Sequence, residues 1–103
     1  MRLYAVELSP QAVAQLEAIQ DWWREHRQAN PDLILQELDT VLRHLQRSPY
    51  LGKLYEPRGA QPVRRSLLNR MRYHVYYRVD DDTQTILVEA VWYAGRGEAP
   101  QIL

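Results

Sequence analysis

The chain of 103 residues contains no cysteine and no long apolar run. Without cysteine it can form neither a disulfide nor a thiolate metal site, and small secreted domains often depend on disulfides. The apolar start between Leu3 and Leu8 is interrupted by Glu7 and followed by Ser-Pro, so it is too short for a signal peptide or a membrane span. These absences predict a cytoplasmic protein.

Sequence motifs of common enzymes are also missing. No G-x-S-x-G, G-x-x-x-x-G-K-[ST] or G-x-G-x-x-G occurs. His26, His44 and His74 have no second metal-type ligand three or four residues away, which argues against zinc. The adjacent acids at 80–82 are typical of a solvated turn rather than a cation site. We therefore expect no metal and no cofactor.

Length and composition fit one globular domain covering residues 1–103, with 46% hydrophobic and 25% charged residues. The net charge of zero conceals a division along the chain. Residues 1–42 carry three arginines against seven acids, residues 43–78 carry eight arginines and Lys53 against Glu56, and residues 79–103 carry Arg96 against five acids. Arginine binds phosphates and carboxylates through two parallel hydrogen bonds. The basic middle is either a binding surface or a solvated strand edge that pairs with acidic helices.

Hydrophobic spacing predicts a strand followed by two helices. Residues 3–8 alternate weakly and are rich in β-prone types. Ser-Pro at residues 9–10 combines an N-cap with a first-turn proline, so a helix should begin there and extend to about Arg27. Asn-Pro at 30–31 repeats this signal, and Ser-Pro at 48–49 ends the second helix. Two helices with a short connection should pack as an antiparallel hairpin.

The apolar face of the first helix is predicted to contain Val13, Leu16, Ile19 and Trp23, with Trp22 at its border. The second helix has a broader apolar stripe, formed by Ile34, Leu35, Leu38, Val41, Leu42 and Leu45.

The C-terminal half is predicted to be β-structure. Residues 49–62 contain three prolines and two glycines, which indicates an irregular loop. Strands are expected over 63–68, 72–80 and 85–93, the last two as a hairpin, with Tyr73, Val75, Tyr77 and Val79 on one face. The predicted fold class is α+β with the order β-α-α-β-β-β. A helical hairpin covers one side of a mostly antiparallel sheet and leaves the other side open.

Arginines interleaved with aromatic residues are the remaining candidate for function. They could bind RNA, because arginines contact phosphates and rings stack on unpaired bases. They could equally bind a protein, since Trp, Tyr and Arg are enriched at interface hot spots. A ribonuclease without metal needs a base, an acid and cations, which His74, Arg64 and Arg96 could supply. Core packing is the competing explanation for the tyrosines and Trp92.

Four segments occur in an order that resembles the RelE/ParE superfamily of toxins, and more closely its ParE-like branch. These segments are LSPQAVAQLEAI, HLQRSPYLGKLY, VRRSLL and YHVYYRVDDDTQTILVEAVWYAGR. In the second, Pro49 and Gly52 keep the P-x-x-G spacing of the family. The resemblance implies the fold derived above and the toxin of a type II toxin–antitoxin system, wrapped by the C-terminal segment of a cognate antitoxin.

The resemblance also implies two possible targets. ParE-like toxins poison DNA gyrase, whereas RelE-like toxins bind the ribosome and cut messenger RNA. The RelE-like basic positions fall near Arg64, Ser66, His74 and Arg96, so Ser66 is a departure. The late tyrosine of RelE-like toxins has no counterpart up to Leu103, and Trp92 stands where ParE-like toxins usually have histidine.

We therefore expect a non-enzymatic inhibitor of DNA gyrase, which the zero net charge favours over an RNA-binding enzyme. The alternatives are a ribosome-dependent endoribonuclease and a degenerate toxin that only binds antitoxin. The expected target-binding residues are Arg78, Trp92, Tyr93 and Arg96. The expected antitoxin-binding residues are Leu16, Ile19, Trp22, Leu38 and Leu42.

Overall fold

A computed structural model describes residues 2–26, 30, 32–59, 61–100 and 102. The elements in chain order are β1 (Ala5–Leu8), α1 (Pro10–His26), α2 (Leu33–Arg47), β2 (Lys53–Glu56), β3 (Val63–Leu68), β4 (Tyr73–Asp80) and β5 (Thr85–Tyr93). The strands form one five-stranded sheet in the order β1-β5-β4-β3-β2. Only the pairing of β1 with β5 is parallel. Two helices on a mostly antiparallel sheet confirm the predicted α+β fold class.

The start of α1 follows the predicted capping chemistry. Ser9 Oγ accepts a hydrogen bond from the backbone N–H of Ala12 at 3.0 Å and donates one to the carbonyl of Glu89 on β5, also at 3.0 Å. The cap therefore also fixes α1 to the sheet. The start of α2 differs, because its N-cap is Asp32, which makes no side-chain capping bond. Pro31 and Arg27, where a start signal and a helix end are predicted, lie outside the described residues.

Further side chains attach the helices to the sheet. Gln15 of α1 accepts a hydrogen bond from the backbone N–H of Val91 at 2.8 Å, on a part of β5 that extends beyond its pairing with β1. Glu37 of α2 accepts bonds from the N–H groups of residues 70 and 71, each at 2.8 Å. These contacts satisfy backbone groups that no neighbouring strand reaches. No helix in the described ranges is long and apolar enough to cross a membrane.

The main core lies between the helices and one face of the sheet. Its fully buried members include Ala12, Ile34, Val75 and Tyr77, and Tyr73 packs against it. The prediction that Val13 shares the buried face of α1 is wrong, since 42% of it is exposed. The buried stripe instead passes through Ala12, Leu16, Ile19 and Trp23, at spacings of four, three and four residues.

The opposite face of the sheet is only partly open. Val63, Tyr76 and Ala90 form a second buried cluster there, against which Trp92 and Ile102 pack. The register shift between Tyr76 and Tyr77 accompanies this arrangement, in which the adjacent tyrosines are buried on opposite faces. The predicted open side is therefore covered in part by a small apolar cluster near Trp92.

The prediction of an irregular loop over residues 49–62 is wrong in part. Residues 53–56 form β2, which pairs with β3 at the edge of the sheet. A four-residue strand between Gly52 and Pro57 is too short to produce an alternation that stands out among so many breakers. The register shifts between Leu54 and Glu56, so Tyr55 lies in a bulge.

Candidate functional site

An open groove of about 760 Å³ lies between the C-terminal half of α1 and the adjoining ends of β4 and β5. We call it the aromatic groove. Its walls include Trp22, Trp23, Tyr73, Trp92, Tyr93 and Arg96. The helix contributes two of these rings and the sheet three, and they meet because α1 packs on β5.

The rings of the aromatic groove hold each other in place. Trp22 and Trp23 meet edge to face with ring centroids 5.3 Å apart, and Tyr73 meets Tyr93 in the same way at 5.4 Å. Trp22 also stacks on His26 at 4.4 Å, while Nδ1 of His26 lies 2.8 Å from the carbonyl oxygen of Trp22. These contacts fix a wall that remains accessible, since Trp22 is 47% exposed.

Arg96 lies at the rim of the groove. Its guanidinium carbon is 4.3 Å from the centroid of the Trp92 ring, within the range of a cation–π contact. Trp92 Nε1 donates a hydrogen bond to the carbonyl of Glu98 at 2.8 Å, which fixes the ring that supports the arginine. A Cβ at Gly95 would lie 2.5 Å from the ring of Tyr93, so the small residue lets the turn fold over that ring.

The structure brings together three of the four residues predicted to bind the target. Trp92, Tyr93 and Arg96 share the aromatic groove, but Arg78 does not line it. Arg78 pairs with Leu87, four residues along β4 from His74, which is the partner of Trp92. At about 3.4 Å per residue, this places Arg78 roughly 14 Å along β4 from the position beside Trp92.

The residues predicted to bind an antitoxin differ in exposure. Leu16 and Leu38 are buried between the helices and the sheet, so in this conformation neither is accessible to a partner. Ile19 and Leu42 are partly buried against the core, and only Trp22 is well exposed. The burial of Leu16 and Leu38 has a physical cause. The apolar residues that recur most regularly along a helix face the core of the protein. Apolar residues that are free to contact a partner lie instead on the polar face and break its pattern.

The helices expose two apolar residues that were not predicted as contacts, Val13 on α1 and Leu35 on α2. The wide apolar stripe predicted for the second helix is the one feature of the sequence that indicates exposed apolar residues on a helix.

Arg64 lies on the helix side of the sheet, where its side chain contacts the loop before β2. Its Nη1 donates to the carbonyl of Gly52 at 2.9 Å and to that of Tyr50 at 3.3 Å, and its guanidinium lies over the Tyr50 ring. Tyr77 completes this arrangement by donating to the carbonyl of Pro49 at 2.8 Å and accepting from the N–H of Gly52 at 2.9 Å. The P-x-x-G spacing therefore shapes a loop around the hydroxyl of Tyr77.

His74 lies on the opposite face of the sheet, in a cleft of about 310 Å³ that also includes Lys53, Arg65 and Ser66. We call it the His74 cleft. Burial lowers the pKa of His74, and the charges of Arg65 and Arg72 lower it further. The imidazole is thus favoured in its neutral form near pH 7.

The predicted ribonuclease residues are not brought together. In the register of β3 with β4, Arg64 pairs with Tyr77 on the helix side, while His74 pairs with Leu67 on the other side. Arg96 lies beyond the end of β5. Lys53 and Arg65 are the basic neighbours of His74 in the cleft. Sequence reasoning missed Lys53 because β2 was not predicted, and it missed Arg65 because the register of β3 with β4 cannot be read from the sequence.

The acids at the tip of the last hairpin have a structural role. Asp81 accepts hydrogen bonds from the hydroxyls of Tyr4 and Tyr50, and Asp80 accepts from the backbone N–H groups of residues 82 and 83. Within the described part of the chain, no group of three or more histidine and acidic side chains is placed to hold a metal ion.

A known protein family matches this chain over most of its length. The family model described as ParE toxin of type II toxin-antitoxin system, parDE, matches residues 6–97. A search of curated proteins found no significant match.

Several solved structures have a similar fold. The chromosomal ParDE toxin–antitoxin system from P. aeruginosa aligns at 21% identity and a TM-score of 0.65, over 88% of this chain and 96% of that chain. The isolated E. coli RelE toxin aligns at 21% identity and a TM-score of 0.62, over 92% and 88%. The RelBE2 toxin–antitoxin complex from Mycobacterium tuberculosis aligns at 20% identity and a TM-score of 0.59, over 88% and 98%.

Proposed function

Because the chain belongs to the ParE family of toxins from type II toxin–antitoxin systems, we propose that it inhibits DNA gyrase through protein–protein contacts and is neutralised by a cognate antitoxin. We also propose that residues 1–103 act as a single toxin domain. The observation that carries the choice of target is the aromatic groove, where Trp, Tyr and Arg side chains meet on one accessible surface. These three residue types are the ones enriched at the hot spots of protein interfaces.

Within this proposal, Arg96 and the rings beside it form the contact with gyrase. The rings offer a large apolar area at little entropic cost, because their mutual contacts already restrict them. Arg96 adds a cation above Trp92, and a partner carboxylate at that position would form a charge-assisted hydrogen bond. Arg78 lies outside the groove and contributes only if the target also covers the other face of the sheet.

The proposed antitoxin contact uses the exposed apolar residues of the helices. Trp22 stays in the surface that we assign to the antitoxin, and the exposed Val13 and Leu35 take the place of the buried Leu16 and Leu38. An amphipathic partner helix would cover such residues. The similar ParDE and RelBE2 structures contain toxin–antitoxin pairs, which supports an antitoxin as partner of this chain.

A second candidate is a ribosome-dependent endoribonuclease, which the His74 cleft favours. A neutral imidazole next to Lys53 and Arg65 has the composition of a base beside phosphate-binding cations. The cleft lacks Arg64, which bonds to loop carbonyls on the other side of the sheet. Gyrase inhibition is therefore preferred.

Two substitutions separate these candidates when the toxin is expressed from an inducible promoter. Arg96→Ala should lose most of the growth arrest, because it removes the cation from the proposed contact. His74→Ala should remain toxic, whereas loss of a general base would reduce a nuclease rate by a factor of about 10² to 10⁴. Arg70→Ala is the matched control, since this exposed arginine lies on the turn before β4, outside both surfaces.

Target identity is measured directly by a gyrase supercoiling assay with purified toxin, next to primer-extension mapping of transcripts after induction. We expect inhibited supercoiling and intact messenger RNA. Codon-positioned cuts with unaffected supercoiling would overturn the gyrase proposal. A free toxin that affects neither supercoiling nor messenger RNA, but still binds its antitoxin, would be a degenerate toxin that only binds antitoxin.

A further inference from the structure

Two cations lie directly opposite each other on the face of the sheet away from the helices. Lys53 on β2 pairs with Arg65 on β3, and within the described ranges neither forms an ion pair with a carboxylate. Like charges in directly opposed positions destabilise a strand pair. An anion bound between the two side chains would offset this repulsion.

Further positive charge extends from this pair across the sheet. Lys53 and Arg65 line the His74 cleft of about 310 Å³, and the exposed Arg72 immediately precedes β4, two residues from His74. The charges of Arg65 and Arg72 both reach the imidazole of His74 and lower its pKa. Cations on three neighbouring segments of the sheet suit the repeated charges of a nucleic-acid backbone better than they suit one isolated anion.

The aromatic rings on this face are not free to stack on unpaired bases. The guanidinium carbon of Arg65 lies 5.1 Å from the centroid of the Tyr55 ring, and Tyr55 meets the buried Tyr76 edge to face at 4.9 Å. Arg96 covers the Trp92 ring in the same way. Single strands are bound through bases that stack on open rings, whereas a duplex is held mainly through its phosphates. The face therefore suits a duplex.

Trp92 connects this face to the aromatic groove. Its ring lines the groove, and in the register of β4 with β5 it pairs with His74 of the cleft. A partner that presents protein and duplex DNA side by side can therefore contact both surfaces at once. DNA gyrase bound to its DNA substrate is a partner of this kind.

We propose that the face around Lys53, Arg65 and Arg72 contacts the phosphate backbone of duplex DNA held by gyrase, while the aromatic groove contacts the enzyme itself. This inference rests on the proposed function, because it takes gyrase to be the target. It adds a second ligand and a second surface to that proposal. The net charge of zero keeps the affinity for free DNA low, so the contact contributes where gyrase holds the DNA at a high effective concentration.

The test measures the affinity of the complete toxin for gyrase by isothermal titration calorimetry, with and without a bound DNA duplex, at several salt concentrations. DNA should tighten binding by about tenfold at low salt. For three phosphate contacts, the slope of log K against log salt should be more negative by about 2.7 when DNA is present. Lys53→Ala should reduce this difference in slope by about 1 and leave the affinity for gyrase alone unchanged.

Arg70→Ala is the matched control. It also removes one exposed positive charge, but the backbone of Arg70 is bonded to Glu37 of α2, on the helix side of the sheet. This variant should keep the full difference in slope.

The outcomes separate this inference from the proposed function. Tight binding to gyrase that DNA neither strengthens nor makes more dependent on salt would overturn the DNA contact and leave gyrase as the target. Equal decreases in slope for Lys53→Ala and Arg70→Ala would overturn the assignment to this face. If the toxin alone bound single-stranded RNA more tightly than duplex DNA, and lost that binding in Lys53→Ala, the ligand would be RNA and the DNA contact would be wrong. No binding to gyrase with or without DNA would overturn the proposed function, and the DNA contact with it.

Discussion

At the scale of single residues, the contact between Gly52 and Tyr77 is the closest packing constraint around the P-x-x-G loop. A Cβ at position 52 would lie 2.4 Å from the hydroxyl oxygen of Tyr77 and 2.9 Å from its ring. The ring is fully buried and its hydroxyl is bonded to Pro49 and Gly52, so it has little room to move. Gly52→Ala should lower the free energy of unfolding by about 1 to 3 kcal/mol, as overpacking typically does. Urea denaturation monitored by tryptophan fluorescence measures the change.

Gly97→Ala is the matched control, because a Cβ there has no atom within 4 Å. Its unfolding midpoint should stay close to that of the unmodified chain. Equal losses at both positions would show that a general effect of replacing loop glycines, rather than the contact with Tyr77, is responsible.

The residues around Tyr77 show what the sequence can predict about single residues. Alternation along the strand predicts that Tyr77 shares a face with Tyr73, Val75 and Val79, and in the structure that face packs in the main core. It gives no indication that Arg64 bonds to carbonyls of the loop, because those contacts depend on where residues 50 and 52 lie in space. Periodicity reports which face a side chain occupies, whereas its partners are set by tertiary folding.

At the scale of elements, the two adjacent tryptophans of α1 have different roles. Trp23 is partly buried against the main core, while Trp22 is an exposed wall of the aromatic groove. Trp23→Ala should cost about 2 to 3 kcal/mol of unfolding free energy, less than a fully buried tryptophan. Trp22→Ala should cost about 1 kcal/mol or less, since it loses mainly ring contacts at the surface. Denaturant melts followed by circular dichroism compare the two variants, and similar small losses would contradict this assignment.

Element boundaries show where sequence reasoning fails. The long strands β4 and β5 and the capped start of α1 are predictable, because periodicity and capping residues agree there. β2 is not, since its four residues lie among prolines and glycines and are ordered by pairing with β3. Missing β2 also hid the His74 cleft, which Lys53 of β2 lines. Non-local pairing, rather than local propensity, determines these features.

At the scale of the whole molecule, positive and negative charges are separated rather than paired. The three ion pairs that connect described residues through Arg24, Arg43 and Arg58 each join side chains two to four positions apart. Among the described residues, no carboxylate forms an ion pair with Lys53 or Arg65. The alternative that the basic middle of the chain is neutralised by the acidic helices therefore finds no support at these two positions. Although the net charge is zero, Lys53 and Arg65 thus form a basic face on the side of the sheet away from the helices.

Charge separation of this kind should make antitoxin association depend on salt much more strongly than folding does. Exposed local ion pairs contribute about 0 to 1 kcal/mol each, so the unfolding free energy should change little between 50 and 500 mM NaCl. The association rate with an acidic partner should fall by about tenfold over the same range, because screening removes the long-range attraction of the basic face. Stopped-flow fluorescence of toxin mixed with antitoxin, compared with urea melts of the toxin alone in the same buffers, measures both quantities. An association rate that is independent of salt would show that the basic face does not steer association. A loss of unfolding free energy at high salt that parallels the loss of rate would show that the charges instead stabilise the fold.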